Sequence, residues 1–597
     1  MLVHMNHLMS LSRILFSSFD WMKVSLVPIF CFSFCNLQAQ LLDSTELAEQ
    51  PTYKYIQYAL KHDPDSVYKL DISIRKKWNE KDTSLIQEIR KFKNLQELQI
   101  SGDAVSEDTL PEFITKLPNL QILLLKSYGH LPVSIENLKS LEALYLLGPI
   151  NELPDELGKL KNLKKLYISC TAKTIPESMG DLTNLEELIL YYNSLTEIPK
   201  SIGRLKNLRL LQISGTQINE IPSEIRTLKK LTRLEIRSNQ KLSSLPDELF
   251  TLSSLKTLIL YNNYMVKEIS TDFHLLKNLE RLEIVYGGFS ELPKMSGMDK
   301  LSYLEIVGND SLSTLPESLN DLKSLKELKL TYGYLNGLPL KLNKLDQLKY
   351  LTIQQRGDFN WEESMKSLSK CKQLESLDIS RNSSPFFPEN IVMLSSMKRI
   401  KFIQSKPYTR PTVPEWDRIT TILTGMKQLS TLDISGYRLS ELPPAIGAIK
   451  TLDSLYLGMH NFSNAKLTFS ILSQLNLKLL SMYDCRLDSL PEEIGLLTSL
   501  EKLDLREIDI DSLPDYLGKL VHLTHLDVSR YVHSPGSDFA PHYPDNGRAH
   551  CIGYISTAVY SIPTLRELSI KGAVCPELTK EEILKELPKN CLLIYDH

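Results

Sequence analysis

A six-residue pattern, LxxLxL, recurs along most of the chain and constrains its fold more than any other feature. Less regular copies extend the series back to Val67 and forward to Leu565, which gives about 21 units. A fixed period of this kind is typical of repeat architectures, where stacked units share one core because a single unit cannot bury its own apolar residues. The clearest copies are spaced 22 to 24 residues apart, and they begin at Leu163, Leu185, Leu208, Leu231, Leu255, Leu279, Leu301, Leu325 and Leu348.

A second pattern lies between the copies of the first. Its clearest examples are LPDELGKL at 153–160, IPESMGDL at 175–182, IPKSIGRL at 198–205 and LPDYLGKL at 513–520. The last two leucines of LxxLxL have the spacing of a β-strand. The residue before a proline is pushed to extended backbone, and proline itself suits the first turn of a helix. Each unit is therefore predicted to contain a short strand, a loop and a helical turn.

These two motifs recur in phase over about residues 67–597, and they resemble the short LP- or IP-containing class of the leucine-rich repeat family, found in Ras-group and bacterial secreted proteins. The resemblance implies an α/β repeat solenoid: a horseshoe with a concave parallel β-sheet, short helical turns on the convex side and a helical N-terminal cap. It also implies a structural asparagine eight residues after the first leucine of each unit. Because several units lack that asparagine, we expect the C-terminal half to be less regular. The matching positions are Asn193, Asn239, Asn263, Asn309 and Asn382, with Cys485, Thr171 and Thr216 as substitutes.

The N-terminus has the composition of an export signal. Lys23 is followed by an apolar run over 24–35 and then by small and polar residues ending at Ala39, with Met22 as the predicted start. The run is too short to span a bilayer, so we expect no transmembrane segment in the mature chain. A lipid anchor on Cys35 is the alternative. The sequence thus predicts an exported protein (secreted, periplasmic or on the cell surface), and the family resemblance implies that it is bacterial.

The domain assignment follows from the repeat series and the two ends. Long spacings mark insertions near 404–424 and 530–562. The predicted domains are a signal peptide at 1–39, an N-terminal cap helix at 40–66, repeats at 67–570 and a C-terminal cap at 571–597.

Charge and motifs exclude several classes of function. The formal net charge is −3, from 69 basic and 72 acidic residues, so the chain lacks the basic footprint of a nucleic-acid partner. It contains none of the common catalytic or nucleotide-binding motifs, which predicts a non-enzymatic protein without a cofactor. His533, His542, His550 and Cys551 carry metal-ligating atoms, but their spacing matches no known metal site and we assign no metal.

The cysteines outside the signal are scattered. An exported protein can pair some of them, and Cys575 and Cys591 are the best candidates because they are close in sequence.

The candidate binding surface is the outward face of the predicted sheet, formed by residues three, five and seven of each unit. Contiguous apolar and aromatic surface marks interaction sites, and tyrosine and arginine are common interface anchors. Alternatively, these aromatics pack laterally between strands and only add stability. We expect a protein partner on this tyrosine-rich face, and a carbohydrate- or surface-binding adhesin is the alternative. The predicted partner-binding residues are Ile122, Leu124, Tyr145, Tyr167, Ile189, Tyr191, Tyr192, Tyr261, Arg281, Glu283, Tyr303, Glu305 and Tyr350.

Overall fold

The computed structural model divides the chain into two units, residues 1–49 and 50–597. In the first unit it describes one helix, α1 (Ser44–Glu49). The predicted signal peptide and the histidines at 533, 542 and 550 lie outside the described residues. The structure describes residues 42–74, 87–102, 105–126, 128–382, 387–394, 396–403, 415–487, 489–530, 551–574 and 578–595.

The second unit is built on a parallel sheet to which each repeat contributes one strand. Successive strands pair in register, for example Leu211 with Leu188 on one side and with Leu234 on the other. The strands of its first part are β1 (Thr52–Tyr53), β2 (Lys69–Ile74), β3 (Glu97–Gly102), β4 (Val105–Thr109), β5 (Ile122–Leu125), β6 (Tyr128–His130), β7 (Ala143–Leu146), β8 (Lys165–Ile168), β9 (Glu187–Tyr191), β10 (Leu210–Ser214), β11 (Arg233–Arg237), β12 (Thr257–Tyr261), β13 (Arg281–Val285), β14 (Tyr303–Val307), β15 (Glu327–Gly333) and β16 (Tyr350–Gln355).

The strands beyond β16 are shorter, with two or three residues each. They are β17 (Ser376–Asp378), β18 (Arg399–Lys401), β19 (Thr431–Asp433), β20 (Ser454–Tyr456), β21 (Leu479–Ser481), β22 (Lys502–Asp504), β23 (Ser512–Leu513), β24 (His525–Asp527), β25 (Tyr554–Ile555), β26 (Glu567–Ser569) and β27 (Leu592–Ile594). Within the described ranges, 23 strands form the main sheet, while β4–β6 and β23–β25 pair separately.

The return segment of most repeats is a 3₁₀ helix that begins just after the Leu-Pro or Ile-Pro pair. The proline holds an extended conformation, as at Pro154 (φ −71°, ψ 150°), and the helix follows it directly. The 3₁₀ helices are Pro64–Ser66, Glu88–Lys91, Ile114–Lys116, Val133–Asn137, Asp155–Lys159, Glu177–Asp181, Lys200–Arg204, Ser223–Thr227, Asp247–Thr251, Thr271–Leu275, Glu317–Asp321, Glu389–Met393, Pro444–Ala448, Glu492–Leu496 and Asp515–Lys519.

Among the described residues, the second unit also contains six α-helices. Helix α2 is short, and β1 before it pairs with β2, so the N-terminal end of the sheet includes a strand that the predicted cap helix at 40–66 did not contain. The helices are α2 (Ile56–Ala59), α3 (Trp361–Leu368), α4 (Trp416–Thr424), α5 (Ala465–Leu472), α6 (Thr557–Tyr560) and α7 (Lys580–Glu586).

The core lies between the sheet and the return segments. The three leucines of the unit that starts at Leu185 are fully buried, as are their equivalents at Leu208, Leu211 and Ile213. Ile202 closes the same layer from the return segment. The repeat solenoid predicted from the sequence is confirmed, since every unit adds one layer to a continuous apolar core.

A row of buried polar side chains bonds the loops between neighbouring repeats. The amide nitrogen of Asn239 donates to the Ile213 carbonyl at 3.0 Å, and its oxygen accepts from the Thr216 backbone N–H. Asn263 repeats this arrangement one unit later, with its oxygen accepting from the Asn239 N–H at 3.1 Å. These bonds satisfy backbone groups that the core would otherwise leave unpaired.

Candidate functional site

The candidate site occupies the face of the sheet that points away from the core, which we call the open face. Residues three, five and seven of each unit form it, and the parallel register places equivalent residues side by side. Tyr145, Tyr167 and Ile189 are neighbours in this way. The structure places all the predicted partner-binding residues on strands β5 to β16, except Tyr192, which directly follows β9.

Four aromatic side chains form a contiguous series at the N-terminal part of the open face. We call Tyr145, Tyr167, Tyr191 and Tyr192 the tyrosine row. Neighbouring ring centroids are 6.3, 6.0 and 4.5 Å apart along the row. Their edge-to-face and tilted geometry is favourable for aromatic pairs. The aromatic side chains of neighbouring strands therefore do pack laterally against one another, which is the arrangement given above as the alternative to a binding role.

The tyrosine row nevertheless leaves surface for a partner. Tyr145, Tyr167 and Tyr191 are half-buried, and 60% of the Tyr192 side chain is exposed. Burial raises the pKa of the Tyr145, Tyr167 and Tyr191 hydroxyls. These phenols therefore stay neutral at ordinary pH, and the row is an uncharged, polar-edged aromatic surface.

Next to the tyrosine row, the open face carries a paired set of charges. Glu235 lies between Arg233 and Arg237, whose Nε atoms are 2.5 and 2.7 Å from its two carboxylate oxygens. The two arginines cover Glu235, which is buried although it points outward. The Arg237 guanidinium also lies over the Tyr261 ring, 5.6 Å from its centroid. Of these four residues, only Tyr261 was predicted to bind the partner.

A similar network follows on strands β13 to β15. Arg281 donates to Glu283 at 2.7 Å, and its guanidinium lies 3.5 Å from the centroid of the Tyr303 ring. The Tyr303 hydroxyl donates to Glu305 at 2.5 Å and accepts from the Lys329 ammonium at 3.2 Å. Because the cations and carboxylates neutralise one another, this part of the face has fixed side chains and little net charge.

The C-terminal part of the open face differs in character. Tyr456 lies near the carboxylates of Asp433 and Asp504, and the Arg506 guanidinium lies over the Tyr483 ring, 5.4 Å from its centroid. Burial raises the pKa of Asp433. Arg506 binds Asp504 through two nitrogens at 2.8 and 2.9 Å. The contiguous aromatic surface therefore belongs to the N-terminal half of the sheet.

One of the four residues with metal-ligating atoms in the long insertion, Cys551, is unsuitable as a ligand. Cys551 is disulfide-bonded, so its thiolate is not free to bind a metal. Among the residues described in the structure, no group of three or more metal-ligating side chains occurs.

The predicted pairing of Cys575 with Cys591 is wrong, because Cys591 is a free thiol. Three other thiols, Cys170, Cys371 and Cys485, are also free, and all three are buried.

Within the described part of the chain, no helix is long and apolar enough to cross a membrane.

Comparison with known proteins identifies the family. The sequence model of the leucine-rich repeat region matches residues 77–188, 174–291 and 238–424, which together cover more than half of the chain. The chain therefore belongs to the leucine-rich repeat family. A search of curated protein sequences gave no significant match.

Several solved structures are similar in fold. A leucine-rich repeat protein of Leptospira interrogans is 22% identical over 91% of this chain and 99% of its own, with a TM-score of 0.43. A TDR receptor is 20% identical over 92% and 96% of the two chains, with a TM-score of 0.47. The plant peptide hormone receptor RGFR1, solved in complex with RGF2, is 21% identical over 87% and 90%, with a TM-score of 0.38.

Proposed function

We propose that this protein is a non-enzymatic repeat protein that binds a protein partner through the N-terminal half of its open face. The tyrosine row carries the proposal. It is contiguous, three of its four rings are half-buried with neutral hydroxyls, and it stands beside arginine–carboxylate networks that are already fixed. Aromatic side chains held rigidly in this way bury large area on binding at low entropic cost.

We also propose that the protein is exported. The N-terminal composition supports this, because it has a basic residue, an apolar run and a small-residue cleavage region. The disulfide at Cys551 supports it independently, since disulfides persist in oxidising compartments.

The test compares two matched pairs of tyrosines on the same face. Tyr167 and Tyr191 are residues five and seven of adjacent repeats, and Tyr456 and Tyr483 have the same two positions further along. A partner is first captured by crosslinking in the protein's own surroundings and then identified and purified. The Tyr167→Ser/Tyr191→Ser variant is expected to lose at least about tenfold in affinity, because it removes two anchors. The Tyr456→Ser/Tyr483→Ser variant should bind like the wild type.

Equal binding by both variants would refute the proposal, provided that thermal unfolding shows both to be folded. A glycan array run in parallel addresses the carbohydrate alternative. Specific glycan binding that depends on Tyr167 and Tyr191, without a protein partner, would replace the proposal.

A further inference from the structure

In seven consecutive repeats, the eighth residue lies at the end of the strand or directly after it, and these residues form a line along the edge of the open face. We call this line the rim row. Its seven members from the first to the last tyrosine all have positive φ, between 41° and 64°. They are Tyr192, Gly215, Ser238, Asn262, Tyr286, Gly308 and Tyr332.

The fold itself demands this backbone conformation. The Tyr192 N–H donates to the Ser214 carbonyl at 2.7 Å, which extends the sheet by one bond before the chain turns into the loop. The Tyr286 N–H makes the same bond to the Val307 carbonyl. Glycine adopts positive φ without strain, and asparagine adopts it more readily than most residues.

Tyrosine is energetically unfavourable at a position with positive φ. A bulky side chain at positive φ is a backbone outlier and costs free energy, because Cβ approaches the following carbonyl oxygen. Conformations of this kind persist mainly where function uses them. The backbone therefore explains Gly215 and Asn262, but it does not favour the tyrosines of the rim row, nor Met459 and Glu507, which have the same conformation in later repeats.

The rim tyrosines are held rigidly and still face solvent. A Cβ atom added at Gly215 would lie 2.8 Å from Cδ1 of Tyr192, so that ring covers the glycine of the next repeat. Tyr286 covers Gly308 in the same way. Each ring also packs edge-to-face on an open-face tyrosine, and 60% of Tyr192 and 42% of Tyr286 remain exposed.

Arg381 gives the end of this surface near Tyr332 a preference for negative charge. Arg356 lies over the Tyr332 ring at 5.8 Å, and Nη1 of Arg381 donates to the Tyr332 hydroxyl at 3.0 Å. Arg356 is already ion-paired with Asp310 at 3.7 Å, whereas within the described ranges Arg381 has no carboxylate within 4.0 Å, so the Arg381 charge is free to pair with a ligand. Tyr264, whose carbonyl oxygen approaches Gly288, and Met265 are exposed as well and add apolar surface to this part of the molecule. Tyrosine, methionine and arginine are the residues enriched at protein interfaces.

We propose that Tyr192 and Tyr286 are partner anchors, and that their ligand is an extended acidic peptide segment carrying an aromatic or large aliphatic side chain. The inference rests on the proposed function, because the rim row borders the open face. It adds Tyr286 as a second anchor at the border, beside Tyr192 of the tyrosine row, and the chemistry of the partner.

The test uses substitutions that should improve the fold while harming binding. A random dodecapeptide library displayed on phage is panned on the full chain, and the most enriched peptide is synthesised as the probe. Enriched sequences are expected to combine acidic residues with an aromatic or large aliphatic one. In Tyr192→Asn/Tyr286→Asn, the affinity for this peptide should fall about tenfold, while the thermal unfolding midpoint should equal or exceed that of the wild type.

Asn262→Tyr is the matched control, because it places tyrosine at the same backbone position where the protein has asparagine. Its unfolding midpoint should fall below that of the wild type. A lower midpoint in Tyr192→Asn/Tyr286→Asn would overturn the inference, since the rim tyrosines would then be structural. Unchanged peptide affinity in that variant would also overturn it, as would enrichment of basic peptides or of no peptide.

The two proposals fail in different ways. If Tyr167→Ser/Tyr191→Ser abolishes partner capture while the rim variant binds normally, the proposed function stands and the inference about the rim fails. If partner capture survives in Tyr167→Ser/Tyr191→Ser, the proposed function itself fails.

Discussion

His460 shows how a single residue can replace the structural asparagine of this family. It stands eight residues after Leu452, where other repeats have asparagine. Its Nδ1 accepts from the Leu439 N–H at 3.0 Å, so Nε2 carries the proton and donates to the Ile434 carbonyl. The ring is fully buried, and burial lowers its pKa from 6.5 to about 4. The fold therefore requires a neutral imidazole.

This requirement makes stability depend on pH. Since the folded pKa lies below the unfolded one, the unfolded chain binds the extra proton, and stability is lost as pH falls from about 6.5 towards 4. The shift corresponds to about 3 kcal/mol. His460→Asn should keep both hydrogen bonds without a titrating group, so its urea unfolding midpoint should drop less between pH 7 and pH 4.5 than that of the wild type.

His522→Asn serves as the control for this experiment, because His522 is exposed. That variant should keep the acid sensitivity of the wild type. Equal acid sensitivity in His460→Asn and the wild type would show that other groups account for the pH dependence.

At the scale of elements, the return segments set how closely two repeats approach. Gly158 lies in the 3₁₀ helix Asp155–Lys159, and a Cβ atom there would lie 2.2 Å from the backbone oxygen of Ser178 in the next repeat. The contact is with backbone, which cannot move without shifting the whole coil. The glycine of the LPDELGKL motif is thus explained by a close approach between neighbouring return segments.

Gly158→Ala should therefore destabilise the fold by about 1–3 kcal/mol through overpacking. Gly337→Ala is the matched control, because its added Cβ would be 3.5 Å from the nearest atom, Oγ of Ser364, which is ordinary contact. Urea unfolding measures both. A neutral effect of Gly158→Ala would mean that the return segments can separate, contrary to the packing seen here.

The sequence predicts the regular elements well because leucine spacing and proline position are local signals. It misses the α-helices that replace 3₁₀ segments in the later repeats. Helix α5 follows no Leu-Pro pair, so the repeat motif does not predict it. The local signal for its start is Asn464, a residue type preferred at helix N-caps, whose side-chain oxygen accepts from the Leu467 N–H. The row of backbone-bonding side chains is also only partly predictable, since His460 and Gln355 replace asparagine through contacts that the spacing does not reveal.

The position of the candidate site on the sheet is predictable from the sequence, but its side-chain contacts and its backbone conformation are not. Alternation along the strand places Tyr167 and Tyr191 on the open face. The covering of Glu235 by two arginines depends on rotamers and on neighbouring strands, so the sequence does not reveal it. The backbone conformation of Tyr192 is likewise fixed by a hydrogen bond to the next repeat.

At the scale of the whole molecule, a repeat solenoid is nearly one-dimensional, because each repeat contacts only its neighbours. A local change should therefore have a local effect. The disulfide at Cys551 lies at the start of the segment that contains β25 and α6, and β25 pairs with β23. Reduction should raise hydrogen exchange in 551–562 and in the adjoining strands, because it frees a segment that the disulfide constrains.

The same argument predicts no change in strands β9 to β12, which lie more than ten repeats away along the sheet. Hydrogen exchange measured by mass spectrometry with and without reductant tests both parts, and Cys551→Ser should reproduce the reduced state without added thiol. A rise in exchange spread evenly over the chain would show that the repeats unfold as one cooperative unit. Partner binding should survive reduction, because the tyrosine row lies in the distant strands, and its loss would place part of the binding site near Cys551.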